Sequence, residues 1–304
     1  MSRAIAVVGA PSSIGIGPYE DGAMRHLNRA PQVLRERGLV ARLRAADLGD
    51  VAPPAYQDFE RPPNRARNER QVAAYSRSLA QRISSGIAQG QFTLVVGGDC
   101  SVVLGCLVAA RKKVGDAVGL VYVDAHADFA SPADSLTGAP SGMALALATG
   151  RGDSELSRLA GAVPLVCEQR VMLVGRRGDG HDGSGAALAT SSILEIPSAQ
   201  LQVDDWLELA ATTLDRVAPP DVRGFWIQVD ADVLDPSAMA AVDSPAPNGP
   251  TPRELLRMLT PLVKHPRALG LSLTSYDPAL DPDRSCARRL VNILEALLTP
   301  GLLH

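Results

Sequence analysis

Short runs of apolar residues recur along the chain at 5–8, 93–96, 118–123, 171–174, 225–229 and 269–273, with a weaker run at 193–196 and a further candidate at 39–43. They are apolar throughout rather than alternating, which suits strands covered on both faces, as in a parallel sheet. Between them lie longer amphipathic stretches at about 21–37, 68–88, 101–112, 199–217, 251–264 and 284–298. The last repeats apolar residues at Leu290, Ile293, Leu294 and Leu297, a helical spacing. Strand followed by helix, repeated, predicts an α/β fold around a mostly parallel sheet of about eight strands. Pro53-Pro54 and Pro62-Pro63 mark one surface loop, and the glycine-rich stretch 175–185 marks another directly after a strand. No linker divides the chain, so residues 1–304 read as one domain.

Composition narrows the function. Acidic residues number 33 against 30 basic, a net charge of −3, which excludes the strongly basic surface of an electrostatic nucleic-acid binder. With 46% hydrophobic residues the chain is no acidic disordered polymer. The arginines between 61 and 82 have Glu60 and Glu69 beside them and read as a solvated helix face. No apolar run approaches the roughly 20 residues of a membrane span. The apolar run near the N-terminus stops at Gly9, too short for a signal peptide. Four cysteines without a C-x-x-C pair are too sparse for a disulfide scaffold, so free thiols and a cytoplasmic location are expected. The glycines form neither G-x-G-x-x-G nor a P-loop, which argues against a nucleotide-binding protein.

Chemistry gathers where three apolar runs end. Val95-Val96 leads to Gly97-Gly98-Asp99-Cys100-Ser101, Val121-Tyr122-Val123 to Asp124-Ala125-His126-Ala127-Asp128, and Ile227-Gln228-Val229 to Asp230-Ala231-Asp232-Val233-Leu234-Asp235-Pro236. Open α/β sheets bind ligands outside the carboxyl ends of their strands. A thiol, an imidazole and several carboxylates are therefore expected at one edge. Carboxylates crowded this way repel unless cations or protons compensate. The i, i+2, i+4 spacing of Asp124, His126 and Asp128 starts at a strand end, where alternate side chains share a face, and Asp230 and Asp232 repeat it. Two such combs can hold two divalent ions, and a carboxylate-rich donor set with one imidazole suits Mn²⁺ better than a thiolate-dominated zinc site.

With these motifs the sequence resembles the arginase–agmatinase–formiminoglutamase family, the ureohydrolases, over most of its length. The resemblance implies a three-layer α/β/α sandwich forming a single catalytic domain. It also implies a binuclear centre, usually of manganese, and hydrolysis of a non-peptide C–N bond in a small-molecule substrate. It places bridging ligands on Asp124 and Asp230. Asp128 and Cys100 then serve one metal, and His126 and Asp232 the other. Asp128 would also orient the attacking water and handle its proton. A homo-oligomer, trimer or hexamer, with neither nucleic-acid nor membrane partner, goes with the same resemblance.

The departures from the family pattern bear on substrate. Cys100 stands where the family has His; a thiolate can ligate and would shift preference toward Zn²⁺ or Co²⁺, the alternative being a buried inert thiol. Ser141 occupies the position of the proton-shuttling His, which a hydroxyl cannot replace near neutral pH. Two asparagines that hold a substrate carboxylate become Ala130 and Ala139. Ser275 takes the place of the Glu that pairs a guanidinium, with Asp277 either a substitute or a turn residue. His181 reads as an exposed loop residue or as a replacement shuttle. These changes point away from a standard arginase, toward a guanidino, hydroxyguanidino or formimino substrate more reactive than arginine. The alternative is a catalytically weak member with a binding or regulatory role.

Overall fold

The computed structural model describes residues 3–57, 61–152, 154–161, 164–178, 184–202 and 205–299. Eight strands form one sheet: β1 (Ile5–Gly9), β2 (Ala46–Asp50), β3 (Phe92–Val96), β4 (Val118–Val123), β5 (Val171–Val174), β6 (Leu194–Ile196), β7 (Gly224–Asp230) and β8 (Ala268–Thr274). Their order is β2-β1-β3-β8-β7-β4-β5-β6, and all the pairings between named strands are parallel. Ten helices accompany them among the described residues: α1 (Ala30–Glu36), α2 (Leu39–Leu43), α3 (Glu69–Ala88), α4 (Val102–Val114), α5 (Ala144–Ala148), α6 (Ser184–Ala189), α7 (Ser198–Leu201), α8 (Trp206–Val217), α9 (Pro252–Lys264) and α10 (Ser285–Leu298).

Two apolar cores flank the sheet. One gathers Leu34, Val217, Leu259 and Leu290 against one sheet face; the other gathers Leu79, Val103, Leu107 and Leu145 against the opposite face. This is the three-layer sandwich. The middle strands are buried along their whole length, which is why they carry unbroken apolar sequence.

The run at 39–43 is a helix rather than a strand: Leu39 and Leu43 lie one helical turn apart and both are buried. One edge strand is β2, Ala-Asp-Leu-Gly-Asp, mostly exposed and without an apolar run. Arg35 holds it, with Nε 2.9 Å from Asp47 Oδ2 and Nη1 2.5 Å from Asp50 Oδ1. The stretch 199–217 divides into α7 and α8. Only the end of 21–37 is helical, starting where Pro31 fixes the backbone of the first turn of α1.

Chain order positions the site. β3 and β4 are consecutive in sequence but stand on opposite sides of the β8–β7 pair. The chain therefore reverses its winding there, and a crevice opens at the carboxyl ends of β3, β8, β7 and β4. All three sequence clusters, and Ser275 after β8, open into it.

Candidate metal centre

Each strand delivers its ligand through a local device. Beyond β3, Gly97 and Gly98 have φ of +93° and +90°, and a Cβ on Gly98 would meet Ala10 O at 2.7 Å. Only glycine allows this turn, which carries Cys100 over the crevice. Beyond β4, Asp124 Oδ1 accepts from His126 N at 2.7 Å, fixing the two side chains together. Asp128 has φ +47°, and its carbonyl accepts from Leu145 N and Ala146 N at 3.0 and 3.1 Å, which holds the left-handed backbone in place. At the end of β7, Asp230 Oδ1 accepts from Asp232 N at 2.8 Å. Arg177 fastens that turn, reaching Asp232 O at 2.8 Å and Val233 O at 2.9 Å. Beyond β8, Ser275 has φ +65° and its N–H donates to Gly98 O at 2.9 Å, tying this strand end to the Cys100 turn.

Two donor triads result. Ligand atoms of Cys100, Asp124 and Asp128 lie within 4.8 Å of one another, as do those of Asp124, His126 and Asp232. Asp124 belongs to both. The Cys100 thiol donates to Asp230 Oδ2 at 2.6 Å, and Ser275 Oγ donates to the same oxygen. His126 Nδ1 stands 3.1 Å from Asp232 Oδ2 and 3.5 Å from Asp124 Oδ1. Tyr122 OH donates to Asp128 Oδ2 at 2.5 Å.

Electrostatics show what this cluster lacks. Burial, and then the charge of Asp232, push Asp124 up to about 7, against the lowering effect of His126. Asp128 and Asp230 are raised well above the carboxylate range by burial and by neighbouring aspartates. Burial, and then Asp230, Asp128 and Asp124, push the Cys100 thiol up. Burial would lower His126, but hydrogen bonds and charges from Asp124 and Asp232 outweigh it and push the imidazole up to about 12. Asp124 Oδ2 is buried with no hydrogen-bond partner among the described residues. Oxygen, nitrogen and sulfur donors short of positive charge, with an orphaned carboxylate oxygen at their centre, fit divalent cations.

A cavity of about 670 Å³ opens above the cradle; Ser141, Ala139, Ser275, Arg25 and Asp243 also line it. Ser141 is buried, with its N–H on Gly15 O at 2.9 Å. Ala139 adds no polar group. Ser275 turns its hydroxyl to Asp230 and Cys100. Asp277 is buried, is not among the residues lining the cavity, and accepts from His26 N at 2.9 Å and Ala279 N at 2.8 Å, the contacts of a turn residue. His181 lies outside the described residues. Two groups have no motif to mark them in the sequence: Tyr122, behind Asp128, and Asp243, on the cavity wall. Tyr122 is a polar member of an apolar strand, the one signal it offered. Asp243 sits in a loop without a motif, its Oδ2 3.5 Å from Arg25 Nε.

Parallel strands ending in a buried acidic, imidazole and thiol cradle beneath a small-molecule cavity define a metal-dependent hydrolase of α/β/α architecture. The chain belongs to the arginase family, whose model matches residues 3–299. It is 27% identical to the arginase of Bacillus subtilis (strain 168), with 100% of each chain covered. The arginase structure from Bacillus caldovelox superposes with a TM-score of 0.87 at 25% identity, covering 99% of this chain and 100% of that one. Proclavaminate amidino hydrolase from Streptomyces clavuligerus shares the fold, with a TM-score of 0.70 at 18% identity and coverage of 98% and 91%. The protein is thus a hydrolase of non-peptide C–N bonds, from a family that depends on a binuclear metal centre, typically of manganese. No helix among the described residues is long and apolar enough to cross a membrane.

Proposed function

We propose that the chain hydrolyses a linear amidine-type compound at two divalent cations, Mn²⁺ foremost and Zn²⁺ or Co²⁺ through Cys100. The observation that carries this reading is the pair of donor triads sharing Asp124. Cys100, Asp124 and Asp128 would hold one cation, and Asp124, His126 and Asp232 the other, with Asp230 alongside Cys100. Bound there, the cations supply Lewis acidity that makes water nucleophilic near neutral pH and stabilises charge on the attacked amidine.

The side chains do the rest. Tyr122 donates to Asp128 Oδ2 and fixes its rotation, and Asp128 would orient the attacking water and handle its proton. Ser275 fixes the rotation of Asp230 by donating to its Oδ2. Asp243 is the carboxylate beside Arg25 on the cavity wall, and it pairs the amidinium in place of the absent Glu. A buried carboxylate facing a cationic N–H fork gains both charge and hydrogen bonding.

With Ser at 141 and 275 and a thiol ligand, the site favours hydroxyguanidino or formimino compounds over arginine. A cytoplasmic homo-oligomer, trimer or hexamer, accompanies this reading. The test is a substrate panel on Mn²⁺-, Co²⁺- and Zn²⁺-loaded protein. Hydroxyguanidino or formimino compounds should exceed L-arginine in kcat/KM by about 10-fold or more, and Asp243→Asn should raise KM for the preferred substrate. Equal turnover of L-arginine would overturn the substrate preference. Tight metal binding without any turnover would favour the binding role instead.

A further inference from the structure

A line of hydrogen bonds runs through the sheet interior to Cys100. Trp226 Nε1 donates to Ser272 Oγ at 2.9 Å, Ser272 Oγ donates to Gln228 Oε1, and Gln228 Nε2 donates to Thr274 Oγ1 at 2.6 Å. Thr274 Oγ1 lies 3.6 Å from Cys100 Sγ. Trp226, Ser272, Gln228 and Thr274 are all buried, so water cannot reorient any link.

The direction of the line is fixed at its far end. An indole N–H can only donate, so Ser272 spends its own proton elsewhere; Gln228 Oε1 and the Cys106 side chain are its partners, and the amide oxygen is the stronger acceptor. The Gln228 amide accordingly turns its oxygen to Ser272 and its NH₂ to Thr274. Thr274 Oγ1 is thereby an acceptor, and its single proton is left for a neighbour. Two acceptors lie within reach: Val229 O at 3.4 Å and Cys100 Sγ at 3.6 Å. A cysteine that ligates metal has given up its proton and can only accept, and a charged acceptor draws a hydroxyl more strongly than a carbonyl does.

We propose that Thr274 is a positioning residue for Cys100: oriented by the Trp226–Ser272–Gln228 relay, its hydroxyl donates to the sulfur and fixes its direction toward a bound divalent cation. The inference rests on Cys100 being a ligand, and it goes further, because it makes the β7–β8 interior part of a support built for sulfur. Partners behind a ligand commonly set its orientation and tune the metal.

The experiment is Co²⁺ titration of the full chain, followed by the sulfur-to-cobalt charge-transfer absorption, for wild type, Thr274→Val and Thr274→Ser. Wild type should show the band. Thr274→Val, which keeps shape but removes the proton, should shift it to longer wavelength and weaken Co²⁺ binding by about 10-fold. Thr274→Ser should restore both, which a purely structural role would not predict. A band and affinity unchanged in folded Thr274→Val would overturn the role of Thr274 alone. A wild-type protein that binds Co²⁺ without the band would overturn Cys100 ligation, and the proposal with it.

Discussion

Asp124 and His126 respond to pH in the same direction. Asp124 is raised from 3.8 to about 7, chiefly by burial, and the aspartates around His126 overcome burial to raise it from 6.5 to about 12. A group whose folded pKa lies above its unfolded value stabilises the fold fully below the unfolded value and loses that contribution as pH rises through the folded one. For Asp124 the loss runs from about 4 to 7, and for His126 it begins near 6.5. Metal-free protein should therefore lose thermal stability steadily between about pH 5 and 8. Divalent metal should restore more at the upper end, because ligands bind only when deprotonated. Melting curves in chelator and in Mn²⁺ across this range measure it; a metal-free Tm that rises with pH would contradict the electrostatics. At this scale the sequence was eloquent for Asp124, His126, Asp128, Asp230 and Asp232, whose spacing follows from strand geometry. It was silent for Asp243, which depends on where a long loop folds back. It left Asp277 open, because an Asp before Pro serves a carboxylate site and a turn equally well.

At the scale of elements, unbroken apolar sequence located the strands covered on both faces, β3, β4, β5, β7 and β8, to within a residue or so. It failed at β2 because an edge strand has little apolar surface to hide, and it misplaced a strand at 39–43 because five residues are too few to separate the two periods. β8 also owes its place to a residue with no side chain. A Cβ on Gly270 would lie 2.3 Å from the backbone carbonyl oxygen of Thr93 and 2.5 Å from Cη2 and Cζ3 of the buried Trp226 ring. Gly270→Ala should therefore destabilise the fold by about 1–3 kcal/mol through overpacking. Urea unfolding should show a lower midpoint at an unchanged slope; an unchanged midpoint would show that β3 and the indole both give way freely. Since Trp226 begins the relay to Thr274, packing inside the sheet and direction at the metal cradle are one problem.

For the whole molecule, topology does what local sequence cannot. β3 and β4 part around β8 and β7, and this alone brings Cys100, Asp124 and Asp230 together from distant parts of the chain. The strand-end rule made a shared edge legible in the sequence, but strand order was not. The net charge of −3 also acquires a location. Four of the buried aspartates that produce it, Asp124, Asp128, Asp230 and Asp232, surround one cavity. If two cations share Asp124, metal content per chain, read by mass spectrometry after exhaustive dialysis, will depend on that one residue. Wild-type protein should retain about two divalent ions. Asp124→Asn should fall below one, since both triads lose a ligand together. A single ion in the wild type, held equally well by Asp124→Asn, would show that Asp124 bridges no pair of cations.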